Sequence, residues 1–222
     1  MIPRDRVIDL TGKMDASGRL AWDVPEGNWT IVRFGHTPTG RENHPSPASG
    51  RGLECDKLDR LVSWSDHADP RVKAYSGTAT YRTTFEVPAH LPGASRRLEL
   101  DLGRVEVMAG VTLNGKDLGT LWKPPYRVDA TAAVRPGANL LEVSVVNLWV
   151  NRLIADEALP EDSHRNPDGT LQAWPSWLQA GRTSPTGRFS FTSWRLWKKG
   201  DAAVASGLLG PVPRKAGQVR YW

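Results

Sequence analysis

The fold of this chain is decided by Leu98–Arg152, which reads LELDLGRVEVMAGVTLNGKDLGTLWKPPYRVDATAAVRPGANLLEVSVVNLWVNR. Apolar residues recur at every second position in Val105–Leu113 and again in Leu141–Asn147. A period of two is typical of β-strands that bury one face. Asn114-Gly115 and Pro136-Gly137 separate the strands with residues that favour tight turns. The stretch therefore predicts the centre of an antiparallel β-sandwich.

Further strands are predicted on both sides of this centre. Tyr75–Val87 is rich in threonine and aromatic residues, Phe189–Trp197 alternates strictly, and Val204–Val212 suits a closing strand or a turn. Leu153–Arg188 has little strand character, but within it Pro175–Gly181 predicts one helical turn, with proline at the start and glycine at the end. The pattern predicts an all-β fold, an antiparallel jelly-roll β-sandwich.

The chain before this sandwich predicts a small N-terminal β segment. Short strands are expected at Val7–Leu10, Gly18–Val24 and Trp29–His36. We therefore divide the 222 residues into an N-terminal β segment at 1–60, the sandwich at 61–212 and a tail at 213–222.

Composition excludes several classes of function. The net charge of +5 comes from scattered basic residues, whereas a nucleic-acid surface needs clustered ones. No apolar run is long enough to cross a membrane, so neither nucleic acid nor membrane is an expected partner. Cys55 is the one cysteine, which rules out an internal disulfide. The first residues lack the apolar core of a signal peptide, and the compartment and the oligomeric state stay open.

No metal or cofactor site is predicted. Asp66, His67 and Asp69 could resemble a ligand cluster, but they precede Pro70 and have no second ligand group at metal-site spacing, which favours a polar turn. Phosphate-binding, dinucleotide-binding and zinc-protease motifs are absent from the sequence.

The aromatic residues give the sharper signal for function. The chain has 10 tryptophans, several of them at strand ends or in the long segment after the central strands. Tryptophan stacks on the apolar faces of sugars, and nearby amide or guanidinium groups can bind hydroxyls. The candidate saccharide-binding residues are Trp122, Tyr126, Trp149, Asn151, Arg152, Trp174 and Trp177. The alternative interpretation is that these aromatics anchor the long segment to the sandwich.

Acidic residues do not form an evident catalytic pair. Glycosidases need two carboxylates at a defined separation. Glu54 and Asp56 share one face of a short segment, with no sign of a pocket that would separate their pKa values. The acids of the long segment are predicted to be solvated: Asp156, Glu157, Glu161 and Asp162.

Tyr75–Val146 resembles the sugar-binding β-sandwich domain of family 2 glycoside hydrolases. The resemblance is carried by YRTTF at Tyr81–Phe85, LNGK at Leu113–Lys116 and PGAN at Pro136–Asn139. It implies a jelly-roll of the galactose-binding-like type.

Longer motifs resemble the family 106 glycoside hydrolases, the α-L-rhamnosidase group. They lie in both the N-terminal segment and the sandwich: Val7–Gly40, GRGLECDKL at Gly50–Leu58, LWKPPYRVD at Leu121–Asp129, NLWVNRLIAD at Asn147–Asp156, PTGRFSFTSW at Pro185–Trp194 and SGLLGPV at Ser206–Val212. The resemblance implies a glycoside hydrolase background, in a family that is typically secreted or periplasmic.

One departure from family 106 bears on catalysis. There, the GRGLECDKL-type segment leads into the catalytic barrel, and the LVSWSDHAD-type segment precedes the terminal sandwich. Here Gly50–Leu58 and Leu61–Asp69 are separated by two residues only, whereas a barrel needs about 200. The resemblance therefore implies that the barrel and its catalytic carboxylates are missing, and that apolar surface of Trp22, Trp29 and Phe34 lacks cover.

These observations predict a non-catalytic, carbohydrate-associated sandwich from an α-L-rhamnosidase-like glycoside hydrolase. Its expected partner is a rhamnose-containing glycan, with no catalytic residue and no cofactor. Two alternatives remain at this point: an active α-L-rhamnosidase, and a structural fragment with no ligand.

Overall fold

The computed structural model of the chain describes residues 20–23, 29–35, 56–58, 60–87, 89 and 98–210. Its strands, in chain order, are β1 (Leu20–Asp23), β2 (Trp29–Gly35), β3 (Asp56–Leu58), β4 (Thr78–Val87), β5 (Leu98–Asp101), β6 (Arg104–Glu106), β7 (Met108–Leu113), β8 (Lys116–Leu121), β9 (Arg127–Asp129), β10 (Gly137–Val146) and β11 (Gly207–Gly210). Its helices are a 3-10 turn (Trp64–Asp66), α1 (Pro70–Lys73), α2 (Val150–Asp156) and α3 (Ser176–Gln179). The strand predicted at Val7–Leu10 and the tail at 213–222 lie outside the described residues.

The strands of this part of the chain form three sheets around one core. Six strands follow the order β3-β2-β4-β10-β7-β8, all antiparallel, while β1-β5-β9 and β11-β6 form two smaller sheets. One buried cluster draws residues from all three sheets, including Tyr81 of β4, Leu100 of β5 and Leu208 of β11. The predicted all-β sandwich is confirmed, although β1 and β5 pair in parallel.

The central turn forms as predicted. Asn114 and Gly115 connect β7 to β8 with φ values of 53° and 80°. Asparagine and glycine tolerate this left-handed region better than other residues do, which is why this dipeptide closes tight hairpins. The Asn114 side chain also accepts from the Leu140 N–H at 2.9 Å, so the turn is fixed against β10.

The single strand predicted at Val105–Leu113 is wrong. The structure divides it into β6, which pairs with β11, and β7, which pairs with β8 and β10. Val105 and Ala109 are nevertheless both buried. Alternation reports which side chains are buried, and it continues across a break at which the backbone changes its pairing partner.

The strand predicted at Phe189–Trp197 is also wrong. Its backbone hydrogen bonds go elsewhere, because the Phe189 and Ser190 N–H groups donate to the Asp156 carboxylate. Farther on, the Arg195 N–H donates to the Gly169 carbonyl in an irregular turn. These bonds satisfy the backbone without a ladder. The helical turn predicted at Pro175–Gly181 is confirmed by α3.

Strands from before residue 60 pair directly with strands of the sandwich. β2 lies between β3 and β4, and β1 pairs with β5. Trp29 is only 1% exposed, with its ring 6.2 Å from that of Tyr81, so the expectation that Trp29 lacks cover is wrong. The division of the chain at residue 60 stays a prediction.

Candidate functional site

One end of the six-stranded sheet gathers part of the predicted site. Val145 of β10 pairs with Ala109 of β7, and Ala109 pairs with Leu121 of β8. β10 and β8 are each antiparallel to β7, so they run in the same direction and leave the sheet at the same end. Trp122 follows β8 and Trp149 comes shortly after β10. Their strands lie about 10 Å apart, which is two strand spacings.

Four large apolar side chains are exposed at this end. Trp122 and Trp149 are 63% and 43% exposed. Met108 of β7 lies between their strands in the sheet order, and Leu148 directly precedes Trp149. We call these four side chains the apolar rim. Pro124 and Pro125 restrict the backbone that follows Trp122, so this stretch of backbone has little freedom to lose when a ligand binds.

Trp149 and Arg152 belong to a helix that the sequence analysis did not predict. Trp149 is the N-cap residue of α2. The signal was available, since Val150, Leu153 and Ile154 have the i, i+3, i+4 spacing of an apolar helix face. The helix places Trp149 and Arg152 on neighbouring positions of one face, because residues three apart are adjacent on a helix surface.

Arg152 is half-buried beside an aromatic ring. Its guanidinium carbon lies 5.0 Å from the centre of the Phe189 ring, and one of its nitrogens lies 3.7 Å from Asp156 Oδ1. Burial lowers the pKa of Arg152, and the charge of Asp156 acts in the opposite direction. Phe189 itself is exposed. It is a site residue that the sequence analysis did not identify, since it was assigned to a strand.

The Asp156 carboxylate is buried, so its predicted solvation is wrong. Oδ2 accepts from the Phe189 N–H, the Ser190 N–H and the Ser190 hydroxyl at 2.9, 2.7 and 2.6 Å. Oδ1 is buried and has no hydrogen-bond partner among the described residues. Asp156 therefore holds the backbone of Phe189 and Ser190 against α2. Arg152 is the cation next to its carboxylate.

Two further acids of the long segment are paired with arginines. Arg188 bonds Glu157 at 3.0 Å, while Arg195 contacts Glu157 and binds both oxygens of Glu161. We call these four residues the ion-pair cluster. The hydrogen bond from Arg195 lowers the pKa of the exposed Glu161 carboxyl. The cluster fixes a segment that has little regular secondary structure of its own.

Trp174 and Trp177 form a second aromatic group. Their rings lie 5.9 and 5.7 Å from that of Phe191, and the Trp177 indole N–H donates to the Asp162 carbonyl at 2.8 Å. Trp177 thus anchors the long segment, as the alternative interpretation of the aromatics expects. Trp174 is more than half exposed and keeps a face available for contact.

Tyr126 and Asn151 are buried, and their polar groups bind the protein itself. The Tyr126 hydroxyl donates to the Val107 carbonyl at 2.8 Å. The Asn151 amide donates to the Val204 carbonyl and the Ser206 hydroxyl, and its oxygen accepts from the Val204 N–H. Their geometry suits supporting roles beneath the rim rather than direct contact with a ligand.

Within the part of the chain that the structure describes, no group of three or more His, Cys, Asp or Glu side chains is arranged to hold a metal ion. In the same residues, no helix has the length and apolar character needed to span a membrane.

The fold and the exposed rim define a β-sandwich of the galactose-binding-like class. A family model described as glycosyl hydrolase 2 galactose-binding domain-like matches residues 65–182, which is more than half of the chain, and the chain belongs to this family. A second model, described as alpha-L-rhamnosidase, matches residues 1–83. Both resemblances indicated by the sequence motifs are thereby confirmed.

Individual relatives are much longer than this chain. It is 48% identical over 156 residues to a protein of Formosa agariphila named "Putative beta-glucuronidase", a match that covers 70% of this chain and 13% of that protein. The solved structure of a rhamnosidase from Novosphingobium sp. PP1Y is 33% identical, with a TM-score of 0.60, and the match covers 86% of this chain and 14% of that one. The chain thus spans about one seventh of the length of these relatives.

Proposed function

We propose that this chain is a non-catalytic carbohydrate-binding sandwich of the α-L-rhamnosidase-like glycoside hydrolases, and that it binds rhamnose-containing glycans at the apolar rim. The observation that carries the proposal is the exposure of Trp122 and Trp149 at the same end of one sheet. The rhamnosidase named among its structural relatives supports the choice of sugar.

The chemistry of the rim suits a saccharide. Exposed indole faces can stack on the apolar faces of sugar rings, while neighbouring charged groups bind hydroxyls. Trp122 and Trp149 supply the faces, and Arg152 supplies the donors. By contrast, the tryptophans of the core are closed to a ligand, since Trp29 and Trp64 are at most 2% exposed.

The state of the acids supports a non-catalytic role. A glycosidase general acid needs a raised pKa so that it stays protonated at working pH. The pKa of Glu161 is lowered instead, and Glu157 is paired with two arginines. Asp156 uses one oxygen for three donors and is closed to solvent.

Titration calorimetry with rhamnose-containing oligosaccharides tests the proposal. Replacing Trp149 or Trp122 with alanine should weaken binding about 5- to 150-fold, by analogy with interface tryptophans that contribute about 1–3 kcal/mol. Trp194→Ala is the matched control, because Trp194 is 55% exposed but lies in the irregular segment after α3. It should change the affinity less than twofold. No binding by a folded wild-type chain would contradict the proposal.

An active glycoside hydrolase is the second candidate, favoured by the match of residues 1–83 to the alpha-L-rhamnosidase family. Hydrolysis assays with aryl α-L-rhamnosides and aryl β-D-glucuronides distinguish the active hydrolase from the non-catalytic sandwich. We expect no turnover of either. Turnover that disappears in Glu157→Gln or Asp156→Asn, with folding retained, would establish hydrolysis and overturn the non-catalytic assignment.

A further inference from the structure

We propose that the apolar rim takes a sugar carrying a carboxylate, a uronic acid residue, and that the Arg152 guanidinium recognises that carboxylate. The inference rests on the proposed function, since it assigns the class of saccharide to the same site. Two observations carry it: within the part of the chain that the structure describes, the N–H donors of Arg152 lack hydrogen-bond acceptors, and exposed aromatic residues lie nearby.

Arg152 has more donors than partners. A guanidinium carries five N–H donors. The side chain is 13% exposed, and its nearest acceptor, Asp156 Oδ1, is at the long distance of 3.7 Å. No other acceptor among the described residues bonds it. A charge taken this far out of water is costly unless its donors are satisfied, and a ligand carboxylate would satisfy two of them.

Two arginines that follow α2 in the chain, Arg188 and Arg195, are not available in this way. Arg188 donates to the carbonyls of Leu159 and Pro160 and to Glu157, and its side chain is 5% exposed. Arg195 is occupied by Glu157 and Glu161. Of these three arginines, Arg152 is therefore the one whose donors no acceptor in the described part of the chain satisfies.

The surroundings of Arg152 fit a sugar ring as well as its carboxylate. Trp149 lies three residues earlier on the same helix face, and the exposed Phe189 ring lies 5.0 Å from the guanidinium carbon. The guanidinium thus lies beside one exposed aromatic ring, with a second exposed aromatic residue one helical turn away. A pyranose stacked at the Phe189 ring would have the cation within reach of its exocyclic carboxylate.

A second cation is placed at the far side of the rim. Lys123 Nζ lies 4.9 Å above the Trp122 ring, and both side chains are exposed. Two acids near the rim have partners of their own: Asp156 binds Phe189 and Ser190 through Oδ2, and Glu106 is paired with Arg104 at 2.9 Å. Each exposed tryptophan of the rim therefore has a cation close to it, an arrangement that attracts an acidic glycan.

A pair of ligands that differ only in the carboxylate tests the inference on the full chain. One is a rhamnose-containing oligosaccharide with uronic acid residues, and the other is the same oligosaccharide with its carboxyl groups reduced to alcohols. We expect the acidic ligand to bind wild type at least tenfold more tightly at 50 mM salt. The ratio of the two affinities should decrease at 500 mM salt, since salt screens exposed charges.

Two substitutions assign the preference to Arg152. Arg152→Gln should bring the ratio of the two affinities close to one. Arg152→Lys should keep a reduced ratio, because lysine keeps the charge without the planar fork. Lys116→Gln is the control: it removes one charge at the opposite end of β8 and should leave the ratio unchanged. Circular dichroism checks each fold, and the wild-type comparison stands even if Arg152→Gln does not fold.

The outcomes separate this inference from the proposed function. Equal binding of both ligands by wild type overturns the carboxylate assignment and leaves saccharide binding standing. A preference that survives unchanged in folded Arg152→Gln overturns the role of Arg152. Binding of neither ligand overturns the proposed function and the inference together.

Discussion

The Tyr81 hydroxyl joins three parts of the chain that are distant in sequence. It accepts hydrogen bonds from the Trp64 indole N–H and, at 3.2 Å, from the Leu208 N–H. All three residues are almost completely buried. The hydroxyl therefore ties the central strand β4 to the 3-10 turn and to the closing strand β11.

Tyr81→Phe should lower the free energy of unfolding by about 2–6 kcal/mol, because two buried donors lose an acceptor and each costs about 1–3 kcal/mol. Urea denaturation measures the change. Tyr126→Phe is the comparison: it removes a single bond to the Val107 carbonyl and should cost about 1 kcal/mol. Equal effects of the two substitutions would contradict the role given to Tyr81.

Because of the same hydroxyl, we expect the free energy of unfolding to decrease at alkaline pH. Burial raises the pKa of Tyr81 from 10.0 to about 12. The unfolded chain therefore loses this proton at a lower pH than the folded chain does. The stabilisation from the protonated hydroxyl is complete below pH 10 and is lost as pH rises toward 12. Denaturation of wild type should show a fall of about 1.4 kcal/mol between pH 9 and pH 11 from this group. Tyr81→Phe should show a smaller fall, and an identical one would argue against this origin.

The backbone conformation and the packing at position 207 require glycine. Its φ is +100°, and a Cβ there would lie 2.6 Å from Trp64 Nε1 and 2.7 Å from the Tyr81 hydroxyl oxygen. We expect Gly207→Ala to cost more than about 3 kcal/mol, from strained backbone and overpacking together. Gly115→Ala, with φ +80° and open space around it, should cost only about 1–2 kcal/mol. Thermal unfolding of the two variants gives the comparison, and a smaller loss for Gly207→Ala would refute the steric argument.

At the scale of elements, the contact between α2 and the backbone of Phe189 and Ser190 depends on Asp156. Asp156→Asn keeps the shape but removes the charge that three donors share. Hydrogen exchange at Phe189 and Ser190 should become about 10- to 100-fold faster, while that of β10 stays unchanged. Asp201→Asn, at an exposed carboxylate that accepts from the Lys198 N–H, serves as the control. Unchanged protection at Phe189 and Ser190 would contradict this dependence.

Local signals in the sequence predicted the sheet better than they predicted the site. The Asn114-Gly115 turn and the alternation of β10 follow from local chemistry, so the central hairpin could be predicted. The segment Phe189–Trp197 was misassigned because its backbone bonds to a carboxylate 33 residues away, which no local pattern records. Burial of Tyr126 and Asn151 is likewise decided by tertiary contacts with Val107 and Val204.

At the scale of the whole molecule, the N-terminal strands complete the main sheet. Thr30 pairs with Arg82 and Ile31 with Tyr81, and β2 in turn carries β3. A chain that begins at residue 60 would expose the edge of β4 and the core surface that Trp29 covers.

We therefore expect the chain that begins at residue 60 to lose its cooperative unfolding transition. Trp29→Ala in the full chain should be destabilised by about 3–5 kcal/mol and still unfold in one step. Differential scanning calorimetry distinguishes these outcomes. A truncated chain that unfolds cooperatively near the wild-type temperature would instead support the domain boundary predicted at residue 60.

The most direct test of the account is a nuclear magnetic resonance titration of the tryptophan indole N–H groups with a rhamnose-containing oligosaccharide. Each of the 10 tryptophans gives its own indole signal, so one experiment asks which of them meets the sugar. The account predicts that the signals of Trp122 and Trp149 shift with increasing ligand, while those of Trp29 and Trp64 stay in place. No shift at saturating sugar, or shifts that spare both rim tryptophans, would contradict saccharide binding at the apolar rim.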